Sequence, residues 1–365
     1  MRGASSFPSA GGIPPPRGWR SLSLRWPSRF WGMHCATVQE GAAMALLDIR
    51  ALSVDLPAPG GAIHALRRVD LTVTRGTIHG LIGESGCGKT MTAMALLGLL
   101  PRGADIGAER FLFDGMALRD VASSLRGRRI ALISQDPAAA LNPVLTIRRQ
   151  IDDVLRAHHD LPRVARDARA VELLAATGLP DPARVLRSYP HQLSGGMQQR
   201  VVIAQALATG ADLLIADEPT TALDVTIGAQ VLALLRRLVQ ERGLTILMIT
   251  HDMDVVAEVC DSATVLYAGT SVEDGPMSEV LTRPRHPYTR ALLAALPDAG
   301  PPGTRLAAIE GRIPPPFEAI AGCAFAPRCA AAQAECRLRP PPERQDGQHR
   351  WTCLVERGTD DQAAA

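Results

Sequence analysis

The sequence predicts an α/β fold: a parallel sheet carrying a phosphate-binding loop, with β-rich segments before it and a helical insertion within it. Three observations predict this. Four short runs are almost continuously apolar: "IHGLI" (from Ile78), "RIALIS" (from Arg129), "DLLIAD" (from Asp212) and "TILMIT" (from Thr245). Such runs suit strands buried on both faces of a parallel sheet. The stretch "GESGCGKT", Gly83 to Thr90, follows the first run and leads into a helix from about Lys89. Residues 143–210 are rich in Ala, Leu and Arg with a helical pattern, which reads as an insertion between two sheet strands.

Composition bounds the answer. A chain of 365 residues holds two or three structural units. Hydrophobic residues make up 46% and charged residues 21%, as in a folded soluble protein. A net charge of +2 implies no strong pull toward nucleic acid or acidic lipid. No apolar run approaches the ~18 residues of a membrane span, so any work at a membrane falls to a peripheral subunit. The seven cysteines are odd in number and no signal-peptide core precedes them, which favours a reducing, cytosolic compartment over a disulfide framework.

Along the chain, residues 1–43 hold three of the four Trp, several Pro and Arg, and no period. They read as a disordered extension, or as a stretch translated upstream of the true start. "MALLDIRALSVDL", from Met44, reads as the first strand of a domain. Leu47 and Ile49 alternate with polar neighbours, and so do Leu52, Val54 and Leu56. The phase slips at Arg50–Ala51, which a bulge explains. Further short β segments lead to "IHGLI". From about Pro284 the composition shifts to Pro, Arg and Cys.

"GESGCGKT" fits the P-loop pattern in the strand-to-helix context that the motif requires. Gly83, Ser85, Gly86, Cys87 and Gly88 curl backbone N–H groups around phosphate oxygens, and the helix N-terminus adds positive charge. Lys89 would reach the β- and γ-phosphates and the Thr90 hydroxyl a Mg²⁺ ion. A plain Gly-rich turn is the bland alternative. "DLLIADEP" ends a strand in Asp217, beside the metal, and Glu218 follows, placed to orient or deprotonate a water. Without the phosphate loop an exposed acidic strand end would serve equally well. Gln135 of "ISQDP" and His251 of "ITHD" also end strands, at the crevice where such sheets bind ligands. Gln135 would touch Mg²⁺ or water, and His251 a γ-phosphate. Taken alone, each would be an ordinary loop residue.

"LSGGMQQR" adds a second Gly-rich loop at a helix N-terminus, with Ser194, Gly195 and Gly196. With the phosphate loop, "ISQDP", "DLLIADEPTTALD" and "ITHD" in this order, residues 44–285 resemble an ABC-type ATPase. The resemblance implies a RecA-like P-loop NTPase core with an N-terminal antiparallel β subdomain, a helical subdomain at about 138–210, and ATP with Mg²⁺ as ligands. It also implies a head-to-tail pair of ATPases. There Ser194, Gly195 and Gly196 face the partner's γ-phosphate, and Asp224 lies at the same interface. "QDPAAALNPVLTI", "YPHQLSGGMQQR" and "RPRHPYTRALLAALP" narrow the likeness to the ATPase subunits of oligopeptide/dipeptide (or nickel) permeases. That subgroup implies a C-terminal extension at 286–365 and a place on the cytoplasmic face of the cell membrane. Its partners would be two transmembrane permease subunits, a second ATPase and a solute-binding protein, with no nucleic acid. Two departures stand out. Residues 51–76 lack the aromatic that usually stacks on adenine, leaving His64 as a flat surface, and Ser134 stands where Phe is common.

The tail concentrates Cys323, Cys329, Cys336 and Cys353, with five, six and sixteen residues between them. The resemblance implies that they ligate an iron–sulfur cluster, [4Fe–4S] in the family, with zinc as the second reading and unliganded thiols as the third. A rival function class is an ABC-type ATPase of DNA repair or translation. It would show a coiled coil, zinc modules or a second cassette, and none is in the sequence.

Overall fold

A computed structural model describes residues 45–296 and 308–355. The expectation for residues 1–43 lies outside them. β1 (Ala45–Ala58) pairs antiparallel with β2 (Gly61–Thr74) from end to end. The slip in apolar phase is a bulge: Ala51 has φ 51°, and the register shifts between Ile49 and Leu52. Asp70 Oδ1 accepts the freed Ala51 N–H at 2.8 Å. The bulge lets Leu47, Ile49, Leu52 and Val54 all enter one apolar cluster.

β3 (Ile78–Ile82) and α1 (Lys89–Leu97) flank the Gly-rich loop. β4 (Asp105–Gly107), β5 (Arg110–Phe113) and β6 (Met116–Ala117) complete the antiparallel part, β4 and β5 against β1 and β6 against β5. α2 (Leu118–Leu125) then leads to β7 (Ile130–Ile133). The helical stretch runs through α3 (Pro137–Ala140), α4 (Ile147–His158), α5 (Arg163–Ala176), α6 (Pro182–Arg187) and α7 (Gly195–Ala208). β8 (Leu213–Asp217), α8 (Val225–Arg242), β9 (Thr245–Thr250), α9 (Met253–Val259) and β10 (Ser262–Tyr267) return the chain to the sheet.

The parallel strands lie in the order β10-β3-β9-β8-β7. Their apolar runs are explained by burial on both faces. Ile246 and Met248 of β9 enter one core cluster, and Leu247 and Ile249 the other. β11 (Thr270–Pro276) pairs antiparallel with β10 and meets β2 through Thr270 and Arg68, which joins both parts into one sheet.

After α10 (Met277–Thr282) and α11 (Pro287–Ala294), the C-terminal segment returns to the sheet. β12 (Glu343–Asp346) pairs with β13 (His349–Thr352), which pairs with β11. The buried Glu273 carboxylate of β11 fastens this segment. It accepts the backbone N–H groups of Arg285 and His286 at 2.7 and 2.8 Å, and His349 Nε2 lies 2.7 Å away. Tyr288 and Phe325 pack on Tyr267, with ring centroids 4.6 and 5.2 Å away.

The iron–sulfur expectation for Cys323, Cys329, Cys336 and Cys353 is corrected here, and the zinc alternative gains no support. Among the described residues, no group of three or more His, Cys, Asp or Glu could hold a metal ion. Burial pushes the Cys323 thiol up to about 11, and the Cys329 and Cys353 thiols upward as well. A thiol buried in this way is a poor nucleophile and packs as a small apolar group. These cysteines serve the packing of the tail instead: Cys336 and Cys353 are buried, and the Cys323 N–H donates to the Cys336 carbonyl at 2.7 Å.

Candidate functional site

The Gly-rich loop leaves β3 and ends at Gly88, the N-cap of α1, with φ 109°. That backbone is costly for any residue with a Cβ. Gly83 is needed for a different reason: a Cβ there would sit 2.2 Å from the Leu266 carbonyl oxygen. Lys89, at the first turn of α1, is 6% exposed. Its Nζ donates to the Gly83 and Glu84 carbonyls at 2.7 and 3.1 Å, which folds the ammonium under the loop. Cys87 is buried, and burial raises its thiol pKa. Ser85 is exposed on the loop and Gly86 lines the adjacent cleft.

Facing this loop are the ends of three parallel strands. Thr90 Oγ1 lies 3.5 Å from Asp217 Oδ2, at the end of β8. Glu218 follows in the left-handed region, φ 46°, a strained conformation for this residue. Its N–H donates to the Ile249 carbonyl at 2.8 Å, which holds the turn. Its carboxylate collects three partners. Gln135 Nε2 donates at 2.8 Å, Thr221 Oγ1 at 3.1 Å, and His251 Nδ1 lies 2.8 Å from Oε1. Gln135, Glu218 and His251, 116 positions apart in sequence from first to last, thus meet in one hydrogen-bonded cluster.

Two neighbouring carboxylates behave oppositely. Burial, then the charge of Glu218, raises the Asp217 pKa, against the pull of Lys89 and Thr90. Burial also pushes Glu218 up, but hydrogen bonds from His251 and Thr221 and the charges of His251 and Lys89 outweigh it. Glu218 therefore ends below its ordinary value. Asp217 therefore holds its proton more tightly than an ordinary aspartate, whereas Glu218 is held in its ionised form.

The second Gly-rich loop caps α7. Ser194 Oγ accepts the Met197 N–H at 3.4 Å. Asp224 caps α8 through the Ile227 N–H at 3.0 Å. The two caps abut, since a Cβ on Gly196 would meet Ile227 Cγ2 at 2.5 Å and one on Gly195 would meet Leu223 at 3.8 Å. Ser194, Gly195, Gly196 and Asp224 thus share one surface, and none of them bonds to the Lys89 loop within this chain.

A cleft of about 310 Å³ opens beside Gly86, Gly88, Lys89 and Thr90. Ile63 and His64 of β2 line one side, with the His64 ring fixed by Asp55 at 2.7 Å. Ile313, Pro314 and Pro316 of the C-terminal segment line another. The His64 N–H donates to the Pro316 carbonyl at 2.8 Å, and Arg67 donates to the Glu318 carbonyl at 2.7 Å. Sequence reasoning missed these tail residues. No local pattern announces a contact spanning 251 positions.

Comparison with known proteins fits this geometry. The ABC transporter family matches residues 66–221, and the oligopeptide/dipeptide transporter C-terminal region matches residues 272–336. A Brucella abortus protein whose name assigns it to peptide import as an ATP-binding protein is 46% identical over 81% of this chain and 90% of its own. The dipeptide transport ATP-binding protein DppD of Escherichia coli is 42% identical over 82% of this chain and 92% of its own. Among solved structures, the ATP-binding cassette MJ0796, a dimer in a post-hydrolysis state with ADP and phosphate, superposes with a TM-score of 0.55 at 27% identity. It covers 63% of this chain and 98% of that one. The cbiO1 structure from Clostridium perfringens, part of an ABC transporter complex, gives 0.56 at 26% identity over 66% and 91%. A P-loop with its partner carboxylates, a capped second Gly-rich loop and this tail, matched across four-fifths of the chain, lead to one conclusion: the chain belongs to the ABC transporter family, as an ATP-binding subunit carrying the oligopeptide/dipeptide transporter C-terminal region.

Proposed function

We propose that this chain binds ATP with Mg²⁺ and hydrolyses it to power the import of peptides through a membrane transporter. The observation that carries the proposal is the meeting of Gln135, Glu218 and His251 opposite the Lys89 loop, with Thr90 beside Asp217. The backbone N–H groups from Gly83 to Thr90 receive the phosphates. Lys89 exchanges the carbonyls of Gly83 and Glu84 for phosphate oxygens.

The donor set fits Mg²⁺, which takes one or two carboxylates and phosphate oxygens and keeps several waters. Thr90, Asp217 and Gln135 would hold it, and the raised Asp217 pKa is relieved by a cation. When bound, the ion offsets phosphate charge. Glu218, fixed by three partners, orients and polarises the attacking water, and His251 holds it in register. His64, Ile63 and the tail prolines enclose the base in the cleft. Ser194, Gly195, Gly196 and Asp224 complete the nucleotide site of a second ATPase, which accounts for a built surface that its own loop does not use.

The partners are a second ATPase, two transmembrane permease subunits and a solute-binding protein, and the chain works on the cytoplasmic face. No helix among the described residues is long and apolar enough to cross a membrane, which leaves the crossing to those subunits. The printed names of the relatives support peptides as cargo. Uptake of labelled di- and oligopeptides is the direct test. A strain lacking this gene is expected to lose uptake and to regain it with the wild-type gene. Unimpaired uptake of the whole panel in the deletion strain rejects peptide import.

A further inference from the structure

The phosphate loop carries a carboxylate of its own. Glu84 is the second residue of "GESGCGKT", and its carbonyl accepts from Lys89 Nζ at 3.1 Å. A free carboxylate in a loop that surrounds phosphates would repel a triphosphate. Its charge is answered from 244 positions away. Arg328, in the tail stretch "GCAFAPRC", forks onto both oxygens: Nη1 to Oε2 at 2.7 Å and Nη2 to Oε1 at 3.1 Å. The arginine side chain is only 5% exposed. The carbonyls of Ile309 and Glu310 accept from the same guanidinium at 3.0 and 2.9 Å, and Tyr267 Oη at 3.3 Å. Tyr288 of α11, also in the C-terminal extension, accepts the Glu84 backbone N–H at 3.0 Å. Both the backbone and the side chain of one loop residue are therefore held by the C-terminal extension.

We propose that Arg328 is a positioning residue for nucleotide binding: it neutralises Glu84 and pins the carboxylate against the tail, so that the C-terminal extension sets the affinity of the phosphate loop for a triphosphate. The inference rests on the ATP-binding reading of that loop. A planar fork that holds both oxygens is the geometry in which lysine does not replace arginine.

The test is equilibrium binding of MgATP to the full chain, with folding checked by thermal melting. Arg328→Met is expected to weaken binding about ten-fold or more, because it leaves Glu84 charged and unpaired beside the phosphates. Adding Glu84→Gln to it is expected to bring affinity back to within about three-fold of wild type, since the repelling charge is gone. A merely structural arginine gives no such recovery. Should Arg328→Met fail to fold, Arg328→Gln carries the test: it removes the same charge but keeps hydrogen-bonding groups for the surrounding carbonyls, and Glu84→Gln is again expected to recover the lost affinity. A folded Arg328 variant that binds like wild type, or one that Glu84→Gln does not rescue, overturns the inference alone. A wild-type chain that binds no MgATP overturns the ATP reading and the inference together.

Discussion

At the scale of the residue, the proposed chemistry rests on two adjacent carboxylates, and their environments separate them. Asp217 lies at the buried end of a strand and holds its proton to higher pH than an ordinary aspartate. Mg²⁺ requires the ionised form, so its affinity falls as pH drops below that raised pKa. In the proposed site, Mg²⁺-dependent ATP binding is therefore expected to weaken as pH falls from neutral toward about 5. Asp217→Asn should bind Mg²⁺ weakly at both. A wild-type profile that stays flat across the range rejects the assignment. Glu218 is the opposite case, ionised throughout that range and strained at φ 46°. The motifs around these residues were legible in sequence because each is local: a strand, a turn and a side chain within a few positions. What the sequence did not disclose is that Gln135, Glu218 and His251 bond directly to one another, since that depends on strand order.

Elements place those residues, and their boundaries follow simple rules. The ends of β3 and β9 coincide with the apolar runs, because strands buried on both faces tolerate few polar residues. Helix starts coincide with capping side chains: Ser194 for α7, Asp224 for α8 and Asp252 for α9. α11 has an unusual cap. His286 Nδ1 accepts the Tyr288 N–H at 3.0 Å from a fully buried ring. Burial lowers its pKa to about 4, with Glu273 opposing and Arg290 assisting. Between about pH 6.5 and 4 the folded chain then binds fewer protons than the unfolded one. Its contribution is complete above about pH 6.5 and is lost as pH falls toward 4, by up to about 3 kcal/mol. His286→Asn keeps a capping oxygen and does not titrate, so denaturant unfolding at about pH 7 and pH 5 should show a smaller drop in the variant. An equal drop places the proton uptake elsewhere. The tail cysteines show where element-level reading from sequence fails. The resemblance implied a ligand set for these four cysteines, but residue order in the tail does not say whether their side chains converge on one point, and among the described residues no such group forms.

For the whole molecule, the sheet joins an antiparallel part and a parallel part, and the C-terminal segment reaches back to both. Glu273 anchors it to β11, Arg328 ties it to the phosphate loop, and Ile313, Pro314 and Pro316 wall the cleft beside Lys89 and Thr90. These contacts span most of the chain, which is why composition marked the tail as distinct without saying what it touches. The same scale sets the roles of Glu218 and Ser194. One lies in the cluster with Gln135 and His251, and the other is exposed, with its hydroxyl capping its own helix. ATP binding and steady-state phosphate release by Glu218→Gln and Ser194→Arg, in the assembled transporter, test the central claim most directly. Both variants are expected to keep MgATP binding near wild type and to lose turnover by about 100-fold or more, the first by losing the water-orienting carboxylate and the second by leaving the partner's site incomplete. Phosphate release within about three-fold of wild type in either variant would contradict that assignment of roles.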